Sequence, residues 1–274
     1  MSMTQGAEAT ASRAANSKLL EVLTRAGFIG YGVVHLLFAW LALQIAFGHP
    51  TGQGDQSGAL RTLAAQPLGR FLVVAIGIGM LAMAIWQLLE ALTGHRIETG
   101  RRRVLERLAS AGRAIMYGWF AWTAFQVSSG GGKASSANKQ QDTTAQLMHG
   151  TGGRWLVGLA GIALAALGIG LVVYGLKKKF QKRLHTERMS LRVRQVSRRL
   201  GMAGYSAKGV AFGITGLLIV VAALTYEPAK ARGLDAALRT LREQSFGQLL
   251  LTVIALGIAA FGVYCFVQAR YRKV

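Results

Sequence analysis

Apolar residues along this chain fall into six long stretches, which polar and charged segments separate. They lie at 26–47, 69–92, 111–128, 155–176, 204–225 and 247–269. Their lengths are close to the roughly 20 residues that an α-helix needs to cross a hydrocarbon core of about 30 Å. Arg70, Glu90, Arg113 and Lys208 place a charge inside these limits, each within a few residues of a stretch end. The pattern predicts an all-α membrane protein with six transmembrane helices.

The stretches are organised as an internal repeat. Ala59-Leu60-Arg61-Thr62-Leu63 precedes the second stretch, and Ala237-Leu238-Arg239-Thr240-Leu241 precedes the sixth. Glycine lies at or just before the start of the second, fourth and sixth stretches, as Gly69, Gly153 and Gly247. An Ala-Gly pair lies at or near the start of the first, third and fifth, as Ala26-Gly27, Ala111-Gly112 and Ala203-Gly204. The repeated unit is therefore a hairpin of two spans and a polar loop, present three times.

This repeat gives the domain organisation. We expect a disordered cytoplasmic tail over 1–18 and three repeats over 19–100, 101–190 and 191–274. Each hairpin starts and ends on the same side of the membrane, so the three share one orientation and are related by an axis near the membrane normal. A pseudo-threefold bundle of parallel-oriented hairpins is the simplest arrangement.

Charge sets the expected orientation. The chain carries a net charge of +21 despite 52% hydrophobic residues and a mean hydropathy of +0.35. Twenty-three of its 32 lysines and arginines lie in the tail, in the loops near 93–110 and 177–203, at the C-terminus, or at the adjoining span ends. The positive-inside rule puts these segments, and both termini, in the cytoplasm. Because the charge alternates with apolar spans and does not cluster on one soluble face, we expect no nucleic-acid partner.

Outer loops of the first and third repeats have a shared pattern. Ser57 and Asp235 are equivalent residues suited to cap a helix N-terminus. The leucines that follow suit a helix on the bundle surface, with Arg61 and Arg239 at equivalent positions. The second repeat lacks this sequence, and its polar run to Gln141 is predicted to be flexible. A role for the arginine therefore cannot require all three copies.

Polar groups inside the spans are few. Lys208 lies one turn into the fifth span, Glu90 at the same depth at the end of the second, and His35 near the middle of the first. An ionisable group in a span is a functional candidate: Lys208 and Glu90 are candidates for a buried pair, and His35 for a proton relay. The structural alternatives are that Lys208 reaches the headgroups, that Glu90 meets Arg25 or Arg96, and that His35 bonds a carbonyl or Gln87.

Two further surfaces are suggested by composition. Glycine is common where membrane helices pack closely, and the fifth span carries Gly204, Gly209, Gly213 and Gly216. We expect these to pack inside the bundle, with a dimer face as the alternative. The basic segment 177–199 has loosely helical apolar spacing, so it either fixes topology as a solvated loop or lies along the inner leaflet and attracts anionic lipids.

The repeat resembles a family of bacterial membrane proteins, domain of unknown function 1206. Ala203-Gly204-Tyr205 with Lys208-Gly209 carries the resemblance best, followed by Ala26-Gly27-Phe28 with Tyr31-Gly32 and by Gly58-Ala59-Leu60-Arg61. It covers about residues 20–272. The resemblance implies three hairpins in a bacterial cytoplasmic membrane and brings no assigned activity.

Chemical motifs are scarce, so we expect no enzyme, cofactor or metal site. The remaining histidines lack ligand spacing, and the glycine-rich run at 130–133 departs from a phosphate loop. The leading hypothesis is a structural, interaction or accessory membrane protein, with the bilayer and an unknown membrane protein as partners. The alternatives are a small channel or proton-coupled transporter, and anionic-lipid binding or sensing by the basic loops.

The predicted orientation is testable with single cysteines, because Cys265 is the only cysteine of the chain. In a Cys265→Ser background, a membrane-impermeant maleimide should label Gln66→Cys in intact cells and Lys179→Cys only after permeabilisation. The reverse labelling, or equal labelling of both, would contradict the orientation, and the cysteine-free background measures non-specific reaction.

Overall fold

The computed structural model describes residues 18–49, 53–93, 100–130, 136–150, 152–231 and 233–273, and this part of the chain is helical. Its α-helices are α1 (Lys18–Ala46), α2 (Gln56–Ala64), α3 (Gly69–Thr93), α4 (Gly100–Ser128), α5 (Ser136–His149), α6 (Gly153–Leu176), α7 (Leu191–Thr225), α8 (Gly233–Arg242) and α9 (Gly247–Tyr271). Short 3₁₀ turns lie at Lys179–Arg183, Thr186–Arg188 and Pro228–Ala231. The tail predicted over 1–18 lies outside the described residues except for Lys18, where α1 begins.

Five of these helices are long and apolar enough to cross a membrane: α1, α3, α6, α7 and α9. The sixth predicted span, 111–128, lies in α4, which has 29 residues. The first half of α4 is strongly basic, so its apolar part is shorter than the about 20 residues of a full span. The fold is therefore an all-helical membrane protein with five clear candidate spans among the described residues.

The helices divide between two compact units. The first comprises the described residues of Met1–Tyr31, Leu63–Gly131 and Cys265–Val274, and in it α3 packs along α4. The second comprises those of Gly32–Thr62 and Gly132–Tyr264, and in it α6 packs along α7. Helices α1 and α9 each contribute residues to both units.

The start of the second helix has the same geometry in all three repeats. The preceding residue has a left-handed backbone at Leu68, Gly152 and Phe246, with φ of 60°, 78° and 60°. The next residue is always glycine because a side chain there would overlap a leucine carbonyl of the outer helix. The three pairs are Gly69 with Leu63, Gly153 with Leu147, and Gly247 with Leu241. The repeat is thus a property of the backbone as well as of the sequence.

One expectation from the sequence was wrong, and one alternative that it left open does not hold. The polar run of the second repeat, predicted to be flexible to Gln141, forms helix α5 from Ser136, so this repeat keeps an outer helix without the arginine motif. Residues 131–135 of that run lie outside the described residues. The basic segment 177–199 does not form one surface helix: Phe180 and Leu184 are buried, and from Leu191 the chain is already in α7. Ser190 caps α7 by accepting the Val193 amide, so a new helix starts there.

Glycines hold α6 and α7 together in the second unit. A side-chain carbon on Gly209 would lie 2.5 Å from the Gly168 carbonyl oxygen, and one on Gly216 would lie 2.5 Å from the Ala165 nitrogen. The backbone of Gly213 faces Gly168, and Gly204 faces Phe261 of α9. The glycines singled out in the sequence therefore lie at contacts inside the chain. At Gly204, Gly209 and Gly216 no larger residue fits without movement, whereas the Cβ position of Gly213 is open.

The glycine contact between α6 and α7 is testable with two valines on one helix. Gly168→Val should lower the free energy of unfolding in detergent by about 1–3 kcal/mol, because the added carbons overpack a backbone contact. Gly170→Val, two residues along with open space around its Cβ position, should change it by less than about 0.5 kcal/mol. Equal effects of the two substitutions would contradict the packing.

Candidate functional site

The second unit contains a buried contact between two ionisable side chains from different repeats. Lys208 of α7 and His35 of α1 lie with Nζ and Nε2 3.3 Å apart. His35 is 0% exposed and Lys208 is 9% exposed. The Lys208 amine also lies 4.1 Å from the centre of the Phe261 ring of α9. Three apolar helices therefore meet at one cationic group, and we call Lys208, His35 and Phe261 the buried amine site.

Glycines bring these helices close enough for that contact. A side-chain carbon on Gly204 would lie 2.6 Å from Cβ of Phe261, and one on Gly262 would lie 3.0 Å from the Gly32 carbonyl oxygen. Gly204 is one turn before Lys208, and Gly32 is nearly one turn before His35. The small residues thus set the approach of α9 to α7 and α1 beside the reactive groups.

In the buried amine site, two bases share one proton: the amine of Lys208 and the imidazole of His35. A charged Lys208 donates to Nε2 of His35, which requires a neutral imidazole with its hydrogen on Nδ1. Two positive charges at about 4 Å repel by about 4 kcal/mol at an effective dielectric constant of about 20. A second proton on the imidazole therefore strains the contact, whereas the Phe261 ring face stabilises a single cation.

Aromatic rings continue from Phe261 toward the basic segment. Tyr205 lies edge-on to Phe261 with centroids 5.2 Å apart, and Phe180 stacks on Tyr205 at 5.5 Å with 25° between the planes. Tyr264 contacts Phe180 edge-on at 5.3 Å. Phe180 belongs to the turn after α6, so these rings connect that turn to the buried amine site.

The partners that the sequence suggested for His35 and Glu90 make other contacts in the structure. Gln87, one expected partner of His35, accepts a hydrogen bond from Arg113 Nε, and Arg113 also donates to Ser110 at 2.8 Å. Arg25, one expected partner of Glu90, donates to Glu21 and to the carbonyls of residues 269 and 270. Arg96, the other, lies outside the described residues. Glu90 is half-buried in the first unit, and its pairing with Lys208 stays a prediction.

A second polar cluster joins the outer loops of the first and third repeats within the second unit. Oδ1 of Asp235 accepts the Gly54 amide at 2.7 Å, and its Oδ2 accepts Nε of Arg239 at 2.9 Å. In the first repeat, Arg61 donates to Gln53 at 3.1 Å. Leu60 and Leu238 are buried, as the apolar spacing of these helices predicts. Each of the two equivalent arginines therefore donates to a side chain of its own repeat.

The cap of α2 is Asp55, and the expectation that it is Ser57 was wrong. Asp55 precedes the first helical residue, and its Oδ1 accepts the Gly58 amide at 2.7 Å. Ser57 lies inside the first turn of α2. Asp235 lies inside the first turn of α8, and its oxygens accept from Gly54 and Arg239, so the expectation that Asp235 caps its helix was also wrong. Burial, together with the nearby Asp235 carboxylate, raises the pKa of Asp55 above its ordinary value, although the Gly58 amide and Arg61 oppose the shift.

Sequence reasoning missed two residues of these sites. Phe261 had no distinguishing signal, because a phenylalanine in an apolar span is ordinary. Asp55 had one: an acidic residue directly before Gln56-Ser57-Gly58 fits a helix cap as well as Ser57 does. The contact between His35 and Lys208 had no signal in the sequence, because residues 173 positions apart form no local pattern.

Comparison with known families matches all three repeats. The model of Domain of Unknown Function (DUF1206) matches residues 26–94, 108–178 and 203–272. The chain belongs to the DUF1206 family. His35 and Lys208 lie in the first and third of these segments, and Asp55 in the first, so both clusters use DUF1206 repeats that are distant in sequence.

A similar protein comes from Bacillus subtilis (strain 168). The uncharacterized protein YxxB is 31% identical over 253 residues, which cover 91% of this chain and 90% of that protein. No solved structure matches. The DUF1206 protein described here is an integral membrane protein to which these comparisons bring no activity.

The raised pKa of Asp55 makes a pH-dependent prediction. The Asp55 carboxyl binds a proton more tightly in the folded protein than in the unfolded chain. Its contribution to the free energy of unfolding therefore falls as the pH rises from below the ordinary pKa through the pKa in the folded protein. Asp55→Asn keeps an oxygen for the Gly58 amide without the charge. It should raise Tm at pH 7, and the difference from wild type should shrink as pH falls toward about 4.

Asp142→Asn is the control, because Asp142 is an exposed carboxylate on α5. It should leave the pH dependence of Tm as in wild type. An Asp55→Asn protein with lower Tm than wild type at pH 7, or with the same pH dependence, would contradict the assignment.

Proposed function

We propose that this protein is a proton-coupled membrane transporter whose proton-binding site is the pair Lys208 and His35. The observation that carries the proposal is the 3.3 Å contact between Nζ of Lys208 and Nε2 of His35, buried where α1, α7 and α9 meet. Ionisable groups buried in apolar helices are costly, and they mark ion and proton pathways. The sequence alone favoured a structural role because polar residues in the spans are few. The contact between Lys208 and His35 favours transport instead.

The proposed mechanism links protonation to helix packing. With one proton, the ammonium of Lys208 donates to His35 and lies against the Phe261 ring. A second proton on His35 brings two cations together, and their repulsion favours separation of α1 from α7. Loss of that proton restores the contact. The two arrangements differ by a contact between repeats, which is the kind of two-state element that coupling requires.

The proposal includes a membrane arrangement. The protein spans a bacterial cytoplasmic membrane six times, with α4 as the sixth span and both termini in the cytoplasm. The three hairpins share one orientation about a pseudo-threefold axis. The three matched segments and the distribution of basic residues support this arrangement. Its partners are the lipid bilayer and transported small solutes or protons, with no nucleic acid, cofactor or enzymatic activity.

A second candidate function is an accessory membrane protein that docks another membrane protein. Helix α6 favours it, because α6 is the least buried of the five candidate spans and exposes Trp155, Leu159, Ile162 and Ile169. Binding of anionic lipids by the basic segment 177–199 is a weaker alternative. The burial of Phe180 and Leu184 holds part of that segment against the helices and supports a topological role for its charge.

Proton flux in proteoliposomes tests the proposal. Wild-type protein with an internal pH dye should acidify vesicles faster than empty liposomes under an imposed potential. Lys208→Met, which removes the amine at similar volume, and His35→Phe should each lower that rate at least about tenfold, because each leaves one base at the site. Glu90→Gln tests whether Glu90 shares the pathway.

Lys179→Met is the matched control, since it removes an exposed lysine outside the spans. It should leave the flux within about twofold of wild type. Equal flux for Lys208→Met, His35→Phe and wild type, with all proteins equally folded, would contradict the proposal. An absence of flux in wild type would favour the accessory role.

A further inference from the structure

Three buried polar side chains lie at the end of the first unit where α1 begins and α9 ends. They are Thr24, Gln268 and Arg272, with exposed fractions of 0%, 3% and 6%. Within the part of the chain that the structure describes, Oγ1 of Thr24, Nε2 of Gln268 and Nε of Arg272 are buried without a hydrogen-bond partner. Leaving a buried donor unsatisfied costs about 1–3 kcal/mol. Three such atoms in one region indicate a ligand.

The register of the two helices puts these side chains on facing surfaces. Nη1 of Arg25 donates to the carbonyls of Ala269 and Arg270, at 2.8 Å each, and so joins α1 to the end of α9. Thr24 is one turn before Phe28, and Gln268 is one turn before Arg272. Because the Arg272 guanidinium lies over the Phe28 ring, 5.2 Å from its centre, both pairs of residues border one region.

Aromatic rings fix the orientation of Arg272. Its guanidinium lies 5.3 Å from the centre of Trp86 as well as 5.2 Å from that of Phe28. The two rings meet edge-on with centroids 6.5 Å apart. These cation–π contacts use no N–H hydrogen bond, so Nε of Arg272 keeps its hydrogen for an acceptor.

We propose that Thr24, Gln268 and Arg272 form a binding site for a phosphate group, either the head group of an anionic phospholipid or free phosphate. The guanidinium and the amide nitrogen donate, and the threonine hydroxyl can donate, so the site offers three donors and one positive charge to acceptor oxygens. Phosphate supplies several acceptor oxygens and negative charge, and arginine binds it in a planar geometry. A neutral water accepts only two bonds and leaves the charge uncompensated.

The position of the site fits that chemistry. Arg272 follows directly on the last residue of α9, Tyr271, at the end of an apolar helix. Lipid phosphates lie at this level of a bilayer, beside the ends of the hydrocarbon spans. This site is independent of Lys208 and His35, and it differs from the basic segment 177–199 because its donors are buried and arranged around one arginine.

Binding measurements on the purified full-length protein separate the two sources of phosphate. Retention of phosphatidylglycerol against phosphatidylcholine after delipidation tests the lipid, and calorimetric titration with inorganic phosphate tests the free anion. Arg272→Gln should weaken binding of the phosphate source at least about tenfold, which corresponds to about 1.4 kcal/mol. Gln268→Leu and Thr24→Val, close in volume to the native residues, should each weaken it severalfold.

Arg270→Gln is the matched control, because it removes an exposed arginine of α9 two residues before Arg272. It should keep binding within about twofold of wild type. Binding of wild type should also change Trp86 emission, since Trp86 contacts Arg272, and Trp86→Phe should abolish that change.

Each result decides the proposal. Selective retention of phosphatidylglycerol, lost in Arg272→Gln, identifies a lipid site, and saturable phosphate binding with the same loss identifies a free-anion site. Neither kind of binding, or equal binding in Arg272→Gln and Arg270→Gln, overturns it. Where Arg272→Gln does not fold, unchanged binding in both Gln268→Leu and Thr24→Val overturns it instead.

Discussion

Helices in hydrocarbon gain nothing from burying one apolar side chain against another, because lipid is as apolar as leucine. Their association depends on close contact of backbones, which glycine alone permits at the shortest distances. In this protein Gly168 and Gly209 bring α6 against α7, and Gly204 admits Phe261 from α9 to α7. Gly27 and Gly79 do the same for α1 and α3 in the first unit. The polar contacts described above exist because these backbones approach so closely.

Close backbone packing also explains where charge is tolerated. Gly204 and Gly209 lie near Lys208 on its own helix, and its long side chain reaches the imidazole of His35 and the ring of Phe261. Arg113 reaches Gln87 and Ser110 in the same manner. Each cation gains a hydrogen-bond acceptor inside the helices, which lowers the free-energy cost of burying it.

The three hairpins share one backbone turn but differ in their ionisable residues. The left-handed residue followed by glycine recurs before α3, α6 and α9, because the tight turn from outer helix to span permits nothing larger. The ionisable groups do not recur: Lys208 belongs to the third repeat and His35 to the first, while the second repeat has lost the outer-loop arginine. A site built from unlike copies acquires an asymmetry that three identical hairpins lack, and function is expected to depend on these differences.

The sequence by itself determined the five long apolar helices, the threefold repetition and the family, since apolar length and glycine position are local signals that survive without tertiary contacts. It also indicated the helical outer loops, although the choice of Ser57 over Asp55 as the cap was wrong by two residues, because both types of side chain cap helices. The folding of α5 was missed because polar residues there gave no apolar period. Only the tertiary structure decided which side chains meet. His35 and Lys208, or Phe28 and Arg272, come from opposite parts of the chain, and the approach of their helices depends on backbone packing that no local pattern encodes.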